Sequence, residues 1–208
     1  MLDGEAGGRQ HWEMLRFRFF PLLMGPILAA LLSASPADGS VLQGLALEEL
    51  AAEADRIVLG RVLFSESFLK RDGQIWTWHR IEVEREIRGS APDEREVIVE
   101  TMGGQLGEIG MRVEGEATFR LGERVVVFAH GGGPYAAFRT VGMGQGVMRV
   151  RRENGVDTVR QSREGLLLVR RDARGRLKRS FGALQEPERL DAFLLRLREI
   201  TAQQEGPR

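Results

Sequence analysis

The sequence predicts a mainly β protein: a small antiparallel β-barrel or curled sheet with a short N-terminal helix and a C-terminal amphipathic helix. Short runs of β-branched and apolar residues fill the middle of the chain, as at 123–129 and 147–150, and such runs favour strands. Asp72-Gly73 and Asn154-Gly155 are typical of hairpin turns. Because no helical pattern separates the runs, we expect the strands to pair antiparallel rather than through crossover helices.

Each element follows from the spacing of its apolar residues. Residues 45–55 place Leu47 and Leu50 on one face of a helix. A second helix is expected at about 188–203, where apolar side chains again share one face and Pro187 precedes the first turn. The predicted strands between these helices are 56–68, 75–87, 95–101, 123–129, 136–141, 147–150, 156–160, 166–169 and 177–181.

The start of the chain has the pattern of an export signal. Arg16 and Arg18 precede an apolar run at 19–32, and Ser35-Pro36-Ala37 supplies the small residues of a cleavage site. The apolar run is shorter than the roughly 20 residues that span a bilayer as a helix, although an uncleaved membrane anchor is the alternative interpretation. Met14 offers an alternative start of the chain.

The pattern predicts a signal peptide at 1–37 and a single mainly β domain at 38–208, with the C-terminal helix packed on it. We expect export to the periplasm or the medium, with no stable membrane span after the signal is cleaved. The chain has no cysteine, so disulfides and acylation on a lipobox cysteine are excluded. An ordinary apolar core must therefore stabilise the domain.

The formal net charge is zero, but the two halves of the domain differ. Acidic residues are in excess over 38–148 and basic residues over 149–208, which we interpret as two faces of one domain that attract each other. The basic run at 170–179 has no interleaved aromatic residues. A nucleic-acid partner is therefore not expected.

His130-Gly131-Gly132-Gly133 matches the sequence motif of a turn that supplies oxyanion-hole donors in lipases and esterases. The chain contains no G-x-S-x-G, and no histidine follows His130, whereas an acyl-transfer triad of that fold needs both. We interpret the glycines as a hairpin loop and assign no catalytic residue. The Gly-rich stretch 102–110 is not followed by a helix that could hold a phosphate, so no cofactor is expected.

Trp76 and Trp78 are the most prominent candidates for ligand binding. Strand alternation places both on the face that also carries Arg80 and Glu82. Two tryptophans on a polar face form a stacking platform for a sugar or a peptide. The alternative is that a bulge or the terminal helix covers them, because large aromatic side chains are usually buried.

His79 and His130 are the two histidines of the predicted domain. If the fold brought them together with Glu82, Glu84 and Glu86, they could form a hydrolytic or metal site. The glutamates are more simply the solvated side of a half-buried strand. We therefore assign no metal, while His79 and His130 join Trp76 and Trp78 as candidate ligand-binding residues.

Residues 54–62, ADRIVLGRV, resemble the first strand of a loose group of exported bacterial proteins that are largely uncharacterised. That group also has a threonine followed by V-x-V and K/R-Gly, a Gly-Gly loop, an F-x-x-G-E-x-V step and a late G-x-x-Q-G. The matching residues here are Thr77, Val83, Arg88, Gly89, Gly103, Gly104, Gly107, Phe119, Gly122, Glu123, Val125, Gly142, Gln145 and Gly146. The resemblance covers roughly 54–150 and implies a secreted OB-like or netrin-like β-barrel, without assigning functional residues.

Together these patterns predict an exported, non-enzymatic β-barrel module that binds or assists another envelope or secreted protein. A hydrolase that depends on a metal or on carboxylates, with His79, His130 and nearby glutamates, is the alternative. A third interpretation, a secreted module like a protease inhibitor, follows only from the netrin-like resemblance. The patterns say nothing about the oligomeric state.

Overall fold

A hairpin of two 14-residue strands lies at the centre of the computed structural model, which describes residues 39–89, 94–133 and 136–206. The strands are β2 (Arg56–Leu69) and β3 (Ile75–Arg88). Their turn is closed by the amide of Lys70, which donates to the carbonyl of Gln74 at 2.9 Å. Gly73 takes a positive φ of 79° there, which only glycine adopts without strain.

The other elements are short, as expected where glycines and turns interrupt apolar runs. They are β1 (Ser40–Gln43), α1 (Leu47–Glu53), β4 (Glu96–Met102), β5 (Gly104–Leu106), β6 (Ile109–Met111), β7 (Arg124–His130), β8 (Arg139–Thr140), a 3₁₀ turn (Met143–Gly146), β9 (Val147–Glu153), β10 (Val156–Gln161), β11 (Leu166–Arg171), β12 (Leu177–Arg179), β13 (Glu188–Arg189) and α2 (Leu190–Glu205).

Eight strands form the main sheet, in the order β13-β10-β9-β7-β2-β3-β4, with β8 paired to the far end of β7. A three-stranded sheet has the order β1-β11-β12, and β5 and β6 form a separate hairpin. β1 and β11 run parallel, whereas the other paired strands of the described ranges are antiparallel. The mainly β, antiparallel class predicted from the sequence is confirmed.

Within the described residues, no sheet closes into a barrel, so the predicted small OB-like barrel is not confirmed. The physical reason is the route of the sheet beyond β7. There β9, β10 and β13 continue the ladder away from β4 instead of returning to it. Phe138, just before β8, does meet β4: its amide donates to Ile98 at 2.9 Å, and its carbonyl accepts from Glu100 at 2.7 Å.

Two hydrophobic clusters pack against opposite faces of the main sheet. One contains Leu50 of α1 and Phe193 of α2 and covers β2, β7, β9 and β10. The other is built largely from valines of β2, β4, β7 and β9. Since β2 and β7 contribute to both clusters, residues 57–60 of β2 and 125–129 of β7 are buried on either side. Apolar runs rather than strict alternation result.

Each helix is bounded by the strands and loops beside it. The first is shorter than the predicted span of 45–55 because Leu45 and Ala46 precede the helical turn. The second starts two residues later than the predicted 188–203 because Glu188 and Arg189 pair with β10 as β13. Neither helix of the described chain has the length and hydropathy that a bilayer span requires.

The described members of the two clusters lie between residues 45 and 200, and residues 38–208 form one compact unit. We therefore expect this unit to fold without the preceding residues. The predicted signal peptide at 1–37 lies outside the described residues.

The bulged part of β2 gives a test of the fold. A β-carbon on Gly60 would clash with the carbonyl oxygen of Glu82 and the side chain of Ile81. We expect Gly60→Ala to lower the free energy of unfolding by about 2 kcal/mol, as overpacking typically does. Urea unfolding of the 38–208 unit measures this change.

Gly110→Ala is the matched control, because the nearest atom to its new β-carbon is the carbonyl oxygen of Gly104 at 3.8 Å, an ordinary contact. We expect that variant to unfold within about 0.5 kcal/mol of wild type. Equal unfolding energies for Gly60→Ala and wild type would contradict the close approach of β2 and β3.

Candidate functional site

The distal halves of β2 and β3, together with β4, carry different chemistry on their two faces. The register pairs Trp78 with Glu66 and Glu100, and it pairs Arg80 with Phe64 and Ile98. Paired residues point to the same side of a sheet. The outer face therefore comprises Phe64, Glu66, Phe68, Trp76, Trp78, Arg80, Ile98, Glu100 and Met102.

Trp78 is the exposed aromatic centre of the outer face, with 44 % of its surface accessible. Its ring packs on Phe68 with centroids 4.4 Å apart. Its indole nitrogen donates to Glu100 at 3.0 Å, and Lys70 donates to the other oxygen of the same carboxylate at 2.6 Å. These contacts fix the ring, so a ligand that stacks on it meets a surface that is already ordered.

Trp76 lies on the same face but is only 6 % exposed. The ammonium of Lys70 is 3.7 Å from its ring centroid, and the guanidinium of Arg139 is 4.7 Å from it. Both distances are within the range of cation–π attraction. Two cations, rather than a bulge or the terminal helix, therefore cover this tryptophan.

The indole nitrogen of Trp76 is buried and has no hydrogen-bond partner in the described part of the chain. An unsatisfied buried donor costs about 1–3 kcal/mol.

The inner face holds His79, which is buried. Its Nδ1 lies 2.7 Å from the hydroxyl of Ser65, and its Nε2 lies 2.9 Å from the hydroxyl of Thr101. The ring of Phe119 packs on the imidazole at 4.6 Å. Burial lowers the pKa of His79 to about 4, so the imidazole is neutral near pH 7.

A cavity of about 740 Å³ opens beside His79, between the inner face and the segment 103–120, which contains the β5–β6 hairpin. Hydroxyl groups line its floor: Ser67 and Thr77 lie 2.9 Å apart, and Thr77 donates to the carbonyl of Gly103 at 2.6 Å. The hydroxyls are thus engaged with each other and with the main chain.

The inner face has limited capacity for acyl-transfer chemistry. Ser65 is hydrogen-bonded to a histidine, as a nucleophile would be. However, both nitrogens of His79 contact hydroxyls, so no carboxylate holds the ring or stabilises the imidazolium that proton transfer would create. Burial opposes the same charge.

His130 lies at the exposed end of β7, where it pairs with Arg139 of β8. It is not among the residues that line the cavity beside His79. Within the described ranges, no three His, Asp or Glu residues come close enough to hold a metal ion.

The structure adds residues that the sequence patterns did not single out. Lys70, Glu100 and Arg139 complete the surroundings of the tryptophans, and Ser65 and Thr101 flank His79. Glu100 and Thr101 could have been identified from the sequence, because they lie in the next predicted strand, opposite residues 76–79. Arg139 had no comparable signal, since a distant loop brings it to Trp76.

Comparison of the sequence with protein-family models and with characterised proteins finds no match in either case. The roles of these residues are therefore argued from their geometry alone.

The buried imidazole of His79 makes stability depend on pH. Its pKa is about 4 in the folded chain and about 6.5 in an unfolded one. Below pH 6.5 the unfolded chain gains a proton that the folded chain does not, so stability is complete above this pH and falls towards pH 4. We expect His79 to contribute a loss of about 3 kcal/mol over that range.

Urea unfolding of wild type and His79→Gln between about pH 7.5 and pH 4 isolates this contribution, because other groups titrate alike in both proteins. The free energy of unfolding of wild type minus that of His79→Gln should fall by about 3 kcal/mol over this pH range. A pH-independent difference between wild type and His79→Gln would show that the imidazole is not buried in its neutral form.

Proposed function

We propose that this chain is an exported, non-enzymatic binding module whose outer face binds another envelope or secreted protein. The observation that carries the proposal is Trp78, a half-exposed indole held in place by Phe68 and Glu100. Exposed, ordered aromatic side chains next to charged groups are typical centres of protein interfaces.

The composition of the outer face favours a polypeptide as the partner. Phe64 and Ile98 are 47 % and 42 % exposed, so apolar surface flanks Trp78. Arg80, on the same face, is paired with Glu96 at 2.7 Å. Apolar anchors mixed with charges of both signs match a protein surface.

The same composition argues against nucleic acid. Glu66 and Glu100 lie directly on either side of Trp78 across the sheet. Carboxylates in these positions would repel a phosphate backbone, which otherwise dominates nucleic-acid affinity.

We also propose an OB-like arrangement for the strands that carry this face. Its support is the parallel bridge between Val99 of β4 and Phe138, which leads into β8 on β7. Export is supported by the charged and apolar pattern of residues 14–37. A role as a protease inhibitor rests on the netrin-like resemblance, and the site adds no observation to it.

The hydrolase alternative has weaker support than the binding module. His79 is neutral and enclosed by two hydroxyls, and His130 lies outside the cavity lining. Glu100, one of the two carboxylates beside Trp78, is held in an ion pair with Lys70.

Trp78→Ala tests the proposal. We expect the 38–208 unit, immobilised and incubated with the envelope and secreted fractions of its native cell, to capture a specific protein. Loss of a central aromatic anchor should weaken that complex at least about tenfold. Quantitative mass spectrometry and then a binding titration measure the difference.

Leu121→Ser is the matched control, since Leu121 is 76 % exposed and outside the outer face; it should capture as wild type does. Unchanged affinity of Trp78→Ala would contradict the assigned surface. Turnover of ester, peptide or glycoside substrates that disappears in His79→Gln would contradict the non-enzymatic role.

A further inference from the structure

The three-stranded sheet β1-β11-β12 exposes an apolar row on its outward face. Val41 pairs with Leu167. The amide of Ser180 donates to the carbonyl of Leu168 at 2.8 Å, which extends the β11–β12 pairing. The same register would place Phe181 opposite Leu167. These three side chains, here called the apolar row, are each between 42 % and 59 % exposed.

The opposite face of this sheet packs against the rest of the domain. This packing determines which side chains of β11 point outwards. Leu168 is buried, and Arg170 points to the same side and pairs with Glu49 of α1 at 2.7 Å. Because side chains alternate along a strand, Leu167, Val169 and Arg171 must point outwards. The apolar row is therefore unpartnered sheet surface within the described chain.

Cations lie beside the apolar row, at the end of the sheet near the β11–β12 turn. On the outward face Arg179 stands opposite Val169, and Arg171 stands opposite Leu177, which is itself 60 % exposed. The hairpin turn adds Arg174 and further basic residues, and residues 170–179 contain one acid, Asp172. The basic residues of that segment are Arg170, Arg171, Arg174, Arg176, Lys178 and Arg179.

Chain connectivity adds an independent argument. An apolar run of the sequence occupies 19–32, and β1 begins at Ser40. Eight residues separate that run from Val41, and even fully extended they reach no more than about 29 Å. In the chain before cleavage of the signal, insertion of the apolar run into a bilayer holds the sheet that contains β1 close to the lipid headgroups.

We propose that the outward face of β1-β11-β12 binds an anionic lipid bilayer. The apolar row and Leu177 enter the boundary between headgroups and acyl chains, and Arg171, Arg174 and Arg179 contact lipid phosphates. Apolar side chains next to arginines are the combination that holds peripheral proteins on anionic membranes. This surface is separate from the outer face around Trp78 and leaves that face free for a partner.

Co-sedimentation of the 38–208 unit with vesicles tests the proposal. We expect it to pellet with vesicles of phosphatidylglycerol and phosphatidylcholine, to remain in the supernatant with phosphatidylcholine alone, and to dissociate at high salt. The double variant Leu177→Ser/Phe181→Ser removes the apolar contribution, and Arg174→Glu/Arg179→Glu reverses two charges. Each should lower the vesicle affinity at least about tenfold.

Leu195→Ser and Arg198→Glu are the controls, because they make the same chemical changes on exposed positions of α2. They should bind vesicles as wild type does, and thermal unfolding should show that all variants fold. Failure of wild type to pellet with anionic vesicles would overturn the proposal. Equal binding by the two double variants and wild type would overturn it as well.

An acidic protein is the competing occupant of the same surface. Beads that carry poly-glutamate separate the two cases. Salt-sensitive binding to these beads without binding to anionic vesicles would assign the surface to an acidic protein and overturn the lipid assignment. Vesicle binding that needs both Leu177 and Phe181 would support the bilayer, since a soluble polyanion offers no apolar phase for them.

Discussion

The pairing of β2 with β3 is the constraint on which the rest of the molecule depends. Three register shifts interrupt this ladder between Ile57 and Phe64, and Gly60 allows the backbones to approach closely at one of them. From Ile57 to Gly60, where two of the shifts lie, β2 is buried on both faces. After them, the same hairpin projects past the clusters, so its two faces can carry different chemistry.

Because the two faces of the hairpin carry different chemistry, β3 has a candidate site on each of its faces. Residues of one parity form the outer face, where charge pairs fix Trp78 and cover Trp76. Residues of the other parity continue one apolar cluster into the hydroxyl groups around His79. Hydroxyls satisfy the buried imidazole without charging it, which suits a stabilising network better than proton transfer. The outer face is therefore the better candidate for recognition.

Sequence patterns predicted the features that depend on residues close together in the chain. Asp72-Gly73 predicted the central hairpin, and alternation put Trp76 and Trp78 on one side of β3. They failed where contacts join distant parts of the chain. The position of Arg139 over Trp76 depends on how the loop after β7 returns, and the open order of the main sheet depends on where β9 and β10 extend it. Neither leaves a periodic signal in the residues themselves.

The most direct test of the central claim is side-chain footprinting with hydroxyl radicals, read by mass spectrometry, on the 38–208 unit with and without its captured partner. Because the method reads side chains, it distinguishes the two faces of β3. A method that reads backbone amides would not, since both faces belong to the same strand. If the outer face binds the partner, binding protects Trp78 and Phe64 from oxidation, while Phe119 and Met111 beside the His79 cavity react as before. Protection of Phe119 and Met111 with undiminished oxidation of Trp78 would contradict it and assign recognition to the inner face.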